Sequence, residues 1–371
     1  MTIAVLGAGM VGGAIARDLS SDHQVTAFDL DAVNLDKLRG IDDSIKTVAA
    51  DLSDTSDYEN WLSPFDLVVT AVPGFMGFKT LESVIRVGKN VVDISFFPED
   101  ALQLDSLARQ NEVTVITDCG VAPGMSNLIL GRYNEEMEIG SFACYVGGLP
   151  KHPQPPFGYK APFSPVDVIQ EYIRPARMME QGGVVTKPAL SDREMIRFEI
   201  PGELEAFNTD GLRSLLYTMS HIPDMKEKTL RYPGHLDLII ALQQAGFFGE
   251  HPVRIGDTDI TPLDFTSRLL LDQWKLGEDE EEFTVMKVIL FGEGKTITYD
   301  LYDEYDTRTR ISSMARTTGY TCAAAVNLVA RKIFTEKGVF PPELVGKNKT
   351  CFDFILDYLK KRGVNWKKSE R

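Results

Sequence analysis

Basic residues are scarce in this chain. Lysine and arginine number 39 against 54 aspartates and glutamates, a formal charge of −15 over 371 residues. A surface of that sign repels phosphate backbones and anionic lipid, which argues against nucleic acid or a membrane surface as the main partner. No apolar run reaches the ~18 residues of a membrane-spanning helix. Cysteine is sparse too: Cys119, Cys144, Cys322 and Cys351, with no C-x-x-C pair, so structural zinc is disfavoured and no metal is expected. The start, M-T-I-A-V-L-G, enters a strand without a basic leader. The expectation is therefore no secretory signal, a cytoplasmic protein and free thiols. There is no internal repeat and no low-complexity linker. The acidic run Glu278-Asp279-Glu280-Glu281-Glu282 reads as a solvated loop.

What remains is an ordinary globular composition, with 43% hydrophobic and 25% charged residues, long enough for two or three domains. Residues 1–120 alternate strand-like and helix-like segments. Strands are expected at Ile3–Leu6, Gln24–Asp29, Thr47–Ala50, Leu67–Thr70, Asn90–Asp93 and Thr114–Thr117, with helices between them. Such alternation implies parallel pairing, hence an α/β fold with a Rossmann-type doubly wound parallel sheet of six strands. Beyond residue 140 the texture changes to proline-rich loops, strand-like alternation at Arg193–Ile200 and Phe283–Phe291, and helices at Asp167–Arg174, Gly211–Thr218, Leu236–Ala245 and Pro262–Trp274. This reads as an inserted mixed α+β domain. Helical sequence resumes near Ser312. The expected division is residues 1–123 for the nucleotide domain, 124–311 for the inserted substrate and dimerisation domain, and 312–371 for helices returning to the first.

Gly7-Ala8-Gly9-Met10-Val11-Gly12 follows a strand and opens a helix, the context a G-x-G-x-x-G dinucleotide turn requires. Gly7 serves the tight turn, Gly9 the approach of a pyrophosphate, and Gly12 close helix–strand packing. Asp29 stands twenty residues past Gly9, where a carboxylate accepts hydrogen bonds from the adenosine ribose. The local sequence F-D-L-D holds no arginine for a 2′-phosphate, so NAD is favoured over NADP. Asp51, with Leu52, reads either as an adenine neighbour or as part of a short acidic loop. Val72 and Pro73 end the fourth strand on the nicotinamide side. The crowded stretch I-T-D-C-G-V-A-P-G-M-S-N ends the last strand of this sheet. Gly120 and Gly124 permit unusual backbone angles and close approach to a ligand. Ser126 can cap the next helix. Cys119 reads as a packed thiol rather than a nucleophile.

The fragments G-A-G-M-V-G, A-V-P-G, V-V-D-I-S-F, D-C-G-V-A-P-G, G-Y-K-A-P-F-S-P, D-G-L-R-S, T-L-R-Y-P-G-H, A-R-T-T-G and G-V-F-P-P-E follow one another across nearly the whole chain. Their order and spacing resemble the saccharopine dehydrogenase family, most closely its lysine 6-dehydrogenase branch. The resemblance implies a nucleotide domain with an inserted substrate domain through which two copies pair. It also implies oxidation of the ε-amine of L-lysine with NAD, the semialdehyde product then cyclising. Two positions depart from the saccharopine reductases of the family. Ala122 stands where their turn carries an acid, and Glu82 where they have a lysine proposed for acid–base work.

Amine oxidation needs a proton acceptor, a clamp for the amino-acid carboxylate and a nearby nicotinamide; the cofactor carries the hard chemistry. Asp118 is the first candidate acceptor, a structural turn cap being the other reading; Asp93 and Glu82 are reserves. Arg213 and Arg231 are candidate clamps, or partners in ion pairs between elements. His235 reads as a substrate hydrogen-bonder or as a structural histidine. Tyr159 and Lys160 match a family segment that faces the substrate, and Lys160 can bind a carboxylate or assist proton transfer. Ser95, in V-V-D-I-S-F, is expected beside both substrate and cofactor. Two other functions stay open: reductive joining of an amine to a carbonyl compound on the same fold, as in saccharopine or carboxynorspermidine enzymes, and a non-catalytic NAD-binding redox sensor.

Overall fold

Apolar runs such as Ile-Ala-Val-Leu and Leu-Val-Val-Thr show no period-two alternation because both faces of their strands are covered. The structure, a computed structural model, describes residues 1–162, 165–277 and 280–371. In chain order the first part comprises β1 (Thr2–Leu6), α1 (Met10–Leu19), β2 (Gln24–Asp29), α2 (Ala32–Ile41), β3 (Lys46–Ala49), α3 (Tyr58–Leu62), β4 (Leu67–Thr70), α4 (Gly74–Arg86), β5 (Asn90–Asp93), α5 (Asp105–Gln110), β6 (Thr114–Ile116) and α6 (Met125–Asn134). The middle holds β7 (Ser141–Pro150), α7 (Pro165–Ile173), β8 (Ala176–Glu180), β9 (Gly183–Lys187), β10 (Glu194–Arg197), β11 (Glu203–Asn208), α8 (Leu215–Thr218), β12 (Asp224–Arg231), α9 (His235–Gln244), β13 (Val253–Ile255), β14 (Thr258–Ile260), α10 (Pro262–Trp274), β15 (Glu282–Gly292) and β16 (Lys295–Glu304). The chain then runs through α11 (Ser313–Ala330), β17 (Gly338–Phe340), α12 (Pro342–Gly346), α13 (Lys349–Lys361) and β18 (Trp366–Glu370).

The first sheet is parallel, in the order β17-β6-β5-β4-β1-β2-β3. Strand order reverses at β1, which pairs with β2 on one side and β4 on the other, so the crevice for a ligand opens beyond the carboxyl ends of β1 and β4. Six strands were expected here and seven are present. The seventh, β17, joins β6 in register Gly338↔Thr114 to Phe340↔Ile116. Its three residues are too few for a periodic signal. Helix α11 lies against α1, where a Cβ on Gly319 would come within 3.3 Å of Ile15. Asp18 of α1 takes the Tyr358 hydroxyl at 2.5 Å and pairs with Arg362.

The second sheet is mixed, in the order β10-β11-β12-β7-β15-β16-β18, with β8 and β9 branching from β12. Its centre is a parallel pair, β12 and β7, in register Glu227↔Cys144 and Thr229↔Val146. Helices α7, α9 and α10 bury Tyr172, Leu236, Ile239, Leu270 and Trp274 against Leu149, Phe207 and Leu230 of the sheet.

Three local expectations need correction. The helix read over Gly211–Thr218 is only the turn α8, because Asp210–Ser214 forms a loop with Arg213 at φ +45°. Helix α6 opens at Met125 with Gly124 in the N-cap position, at φ +141°; Ser126 instead donates to the Asn127 side chain at 3.0 Å. In the acidic run, Glu278 and Asp279 lie outside the described residues, but Glu282 begins β15 and is 1% exposed, its carboxyl pushed up to about 8 by burial. Phe163 and Ser164 of the G-Y-K-A-P-F-S-P fragment also lie outside the described residues. Among the described residues no helix is long and apolar enough to cross a membrane.

Candidate active site

A crevice of about 830 Å³ runs from the glycine turn after β1 to the face of β12, with Met314 and Thr318 of α11 on its rim. In the nucleotide half, Gly7 has φ +104°, and a Cβ there would sit 2.3 Å from the Ala71 carbonyl oxygen. A Cβ on Gly12 would lie 2.0 Å from the Gly7 carbonyl oxygen, so α1 can approach the strand only because that residue is glycine. At Gly9 a Cβ would meet nothing within 4 Å; the space beside it is open crevice. Gly9 caps α1 without a side-chain partner, which leaves the first N–H groups of the helix for an anion. Asp29 ends β2 at the same mouth. One of its oxygens accepts from Ala8 N at 2.7 Å and the other from Asp31 N at 2.8 Å, which fixes the carboxylate at the crevice edge. Met10, Val11, Asp51, Leu52, Val72, Pro73 and Gly120 line the same half, and the exposed side chains of Leu30 and Phe75 flank its entrance. These residues fit a pyridine dinucleotide.

The substrate half is built on β12. Residues two apart on a strand face one way, so Glu227, Thr229 and Arg231 all line the crevice. Of the two readings of Arg231, clamp or ion-pair partner, the second is what the structure shows. The guanidinium pairs with Glu171 at 2.9 Å, donates to the Tyr172 hydroxyl and the Leu230 carbonyl at 2.9 Å, and lies 4.3 Å from the Tyr159 ring centre. Tyr159 is thus buried as the platform beneath Arg231 and is absent from the crevice wall. His235 is a structural residue. Its Nδ1–H donates to the Phe157 carbonyl at 2.9 Å, which makes Nε2 the acceptor for the Tyr172 hydroxyl at 2.9 Å. Burial and then Arg231 depress it to about 3, so it stays neutral.

Arg213 and Asp118 find each other rather than the substrate. The Arg213 Nε lies 2.9 and 3.0 Å from the two Asp118 oxygens, both side chains are buried, and the guanidinium also donates to the Phe97 carbonyl. Both residues take positive φ, Asp118 at +53° and Arg213 at +45°. Asp118 still lines the crevice, but as a carboxylate held by its own counter-ion rather than a free acceptor. Glu82 sits on the outer side of α4 and pairs with Arg86, away from the crevice. Lys160 donates to the carbonyls of Gln273 and Lys275 at 2.9 and 3.4 Å, closing the end of α10. Ser95 stands behind the wall; its Oγ accepts from Val72 N at 3.3 Å and so steadies the nicotinamide-side loop. Asp93 is fully buried, accepts from Thr70 at 2.6 Å and is raised to about 7 by burial. Cys119 is buried and its thiol is pushed up by burial, as a packed thiol should be.

Four charged crevice residues escaped the sequence reading: Glu171, Arg174, Asp210 and Glu227. Asp210 is held by Arg177 through two contacts of 2.9 Å. Arg174 has no hydrogen bond or ion pair on its guanidinium among the described residues. Glu227 is 6% exposed, raised to about 8 by burial and by neighbouring carboxylates. The alternation E-K-T-L-R over residues 227–231 is a usable signal, since it puts an acid, a hydroxyl and a base on one strand face.

Comparison with known proteins agrees with this layout. The saccharopine dehydrogenase NADP binding domain matches residues 3–116, and the saccharopine dehydrogenase C-terminal domain matches residues 120–364. The saccharopine dehydrogenase [NADP(+), L-glutamate-forming] of Saccharomyces cerevisiae is 25% identical over 261 residues, covering 66% of this chain and 58% of that protein. The mitochondrial alpha-aminoadipic semialdehyde synthase of Mus musculus is 25% identical over 289 residues, 73% of this chain and 31% of that protein. The chain spans 21% to 58% of the length of such curated relatives. The apo structure of the Saccharomyces cerevisiae saccharopine dehydrogenase (L-Glu forming) superposes with a TM-score of 0.80 at 21% identity, covering 100% of this chain and 99% of that one, which shows the shared fold. With both halves matched in order along one chain, this protein belongs to the saccharopine dehydrogenase family.

Proposed function

We propose that the protein is an NAD-dependent dehydrogenase of amine-bearing amino acids, acting on the ε-amine of L-lysine. The observation that carries this reading is the shared crevice, in which the glycine turn and Asp29 meet a carboxyl, Glu227, and a guanidinium, Arg174, each unpaired among the described residues. A zwitterionic substrate presents the complementary pair. The bound nicotinamide would take a hydride from the carbon that bears nitrogen. The chain does the rest. The N–H groups of α1 hold the pyrophosphate and Asp29 holds the ribose. Asp29, Asp31 and Asp51 disfavour a 2′-phosphate, which supports NAD. Arg174 takes the substrate carboxylate in place of Arg213 and Arg231, whose charges are already matched. Four buried free thiols support a reducing, cytoplasmic setting. Exposed Phe247, Phe265 and Leu269 on the second unit support a homodimer.

The relatives' names favour a second reading, NADP-dependent chemistry on saccharopine. The two separate on one plate. The purified protein is mixed with NAD or NADP and with L-lysine, saccharopine or other amines, and reduced nucleotide is followed by absorbance. Lysine with NAD is the expected best pair. Turnover of saccharopine with NADP and none of lysine would overturn the proposal, and silence in every well would leave a nucleotide sensor.

A further inference from the structure

Six charged side chains line the crevice beyond the glycine turn: Asp118, Glu171, Arg174, Asp210, Glu227 and Arg231. Three of the acids have a guanidinium at 2.9 Å, Asp118 from Arg213, Asp210 from Arg177 and Glu171 from Arg231. Glu227 is the acid left over; its carboxyl has no cation and no hydrogen-bond donor among the described residues. A recess is shaped around it. A Cβ on Gly211 would lie 1.8 Å from one Glu227 oxygen and 2.3 Å from the other, so any larger residue at 211 would displace the carboxyl. Burying a polar group without a partner is costly, and this one opens onto a ligand cavity instead of into the core.

We propose that Glu227 is the proton acceptor for the substrate ammonium. In the step, an N–H bond of the ammonium breaks, its electron pair stays on nitrogen, and the proton forms an O–H bond on Glu227. The amine is then neutral and its lone pair can form the C=N bond as the adjacent carbon is oxidised. This assignment rests on the amine-dehydrogenase reading above.

The groups that face Glu227 are Glu171 from α7, Asp210 and Arg213 from the loop after β11, Asp118 from the turn after β6 and Cys144 from β7. Burial and the three carboxylates keep the Glu227 carboxyl protonated near neutrality, and Arg213 opposes them. An arriving ammonium must therefore displace a proton to solvent. Calorimetry of L-lysine binding to the NADH complex, repeated in buffers of different ionisation enthalpy, counts it. Wild type should release about one proton per site near pH 7 and almost none about two units higher. Glu227→Gln should release none near pH 7, keep its NADH affinity and lose about 10²-fold or more in kcat. Glu227→Asp should regain proton release and part of the rate. If Glu227→Gln fails to fold, Gly211→Ala carries the test, since its methyl displaces the carboxyl and should abolish the release. A wild type that oxidises no amine overturns the functional reading and this assignment with it. An active wild type whose Gln variant keeps the rate, the pH profile and the proton release overturns the assignment alone.

Discussion

At the scale of the residue, the proposed selectivity of the crevice rests on two side chains. Asp29 is anchored by two backbone N–H groups, so it cannot swing away from a 2′-phosphate. Asp29→Ser with Leu30→Arg removes the repulsion and adds a cation at an exposed position. The ratio of kcat/KM for NADP over NAD should rise at least about tenfold, a change of about 1.4 kcal/mol; an unmoved ratio would place discrimination elsewhere. Arg174 is the second. Replacing it with Ala removes a charge-assisted contact of about 1.5–3 kcal/mol with a carboxylate, so KM for L-lysine should rise by at least tenfold. NAD affinity should hold. A rise of the same size for a substrate analogue lacking the carboxylate would show that Arg174 only supports packing.

Elements show why some of this was legible and some was not. Strands β2, β4 and β5 stand where the apolar runs put them, residue for residue, because a buried parallel strand has a continuous signature. The glycine turn was equally plain, since each glycine answers a local steric demand visible in the spacing. Arg213 and Asp118 were both singled out, but as two separate functions. Nothing local tells one that its partner is the other, ninety-five positions away and in a different loop. For His235 the structure matches the structural reading, its two partners being Phe157 and Tyr172, which sequence spacing alone does not reveal. Glu227 shows itself in the sequence only through the alternation of its strand, where Arg231 is the more conspicuous charge. The Arg213–Asp118 pair has an expectation of its own. It joins the turn after β6 to the loop before α8, with both partners buried. Arg213→Ala leaves a buried carboxylate uncompensated and should cost about 3–5 kcal/mol, read as a lower midpoint in urea with unchanged slope. A loss under about 1 kcal/mol would mean that water reaches the pair.

The whole molecule carries several carboxyls that folding makes weaker acids. Burial raises Asp93 to about 7 and Glu227 and Glu282 to about 8, from ordinary values of 3.8 and 4.5. Between those limits the folded chain binds protons that the unfolded chain releases. These groups therefore add stability at low pH that drains away as pH rises from about 4 towards 8. Asp42 and Asp192, lowered by hydrogen bonds from Ser44 and Lys187, act in the opposite sense and lose their contribution as pH falls. Glu282 lies outside the crevice, so Glu282→Gln isolates the effect. Its melting temperature relative to wild type should climb between pH 5 and pH 8, by roughly 2–4 °C for each kcal/mol, and level off above. A difference that does not vary with pH would contradict the burial argument. The late strand β17 has a different consequence, one of timing. A nascent chain leaving the ribosome makes β6 early but presents it as a bare edge until residues 338–340 emerge, and such an edge invites pairing with other chains. The nucleotide sheet thus gains its last strand only after residues 338–340 have emerged. Chains stalled before residue 338 should be digested readily by protease and gain little protection from NAD, even though every residue of the glycine turn has long been made.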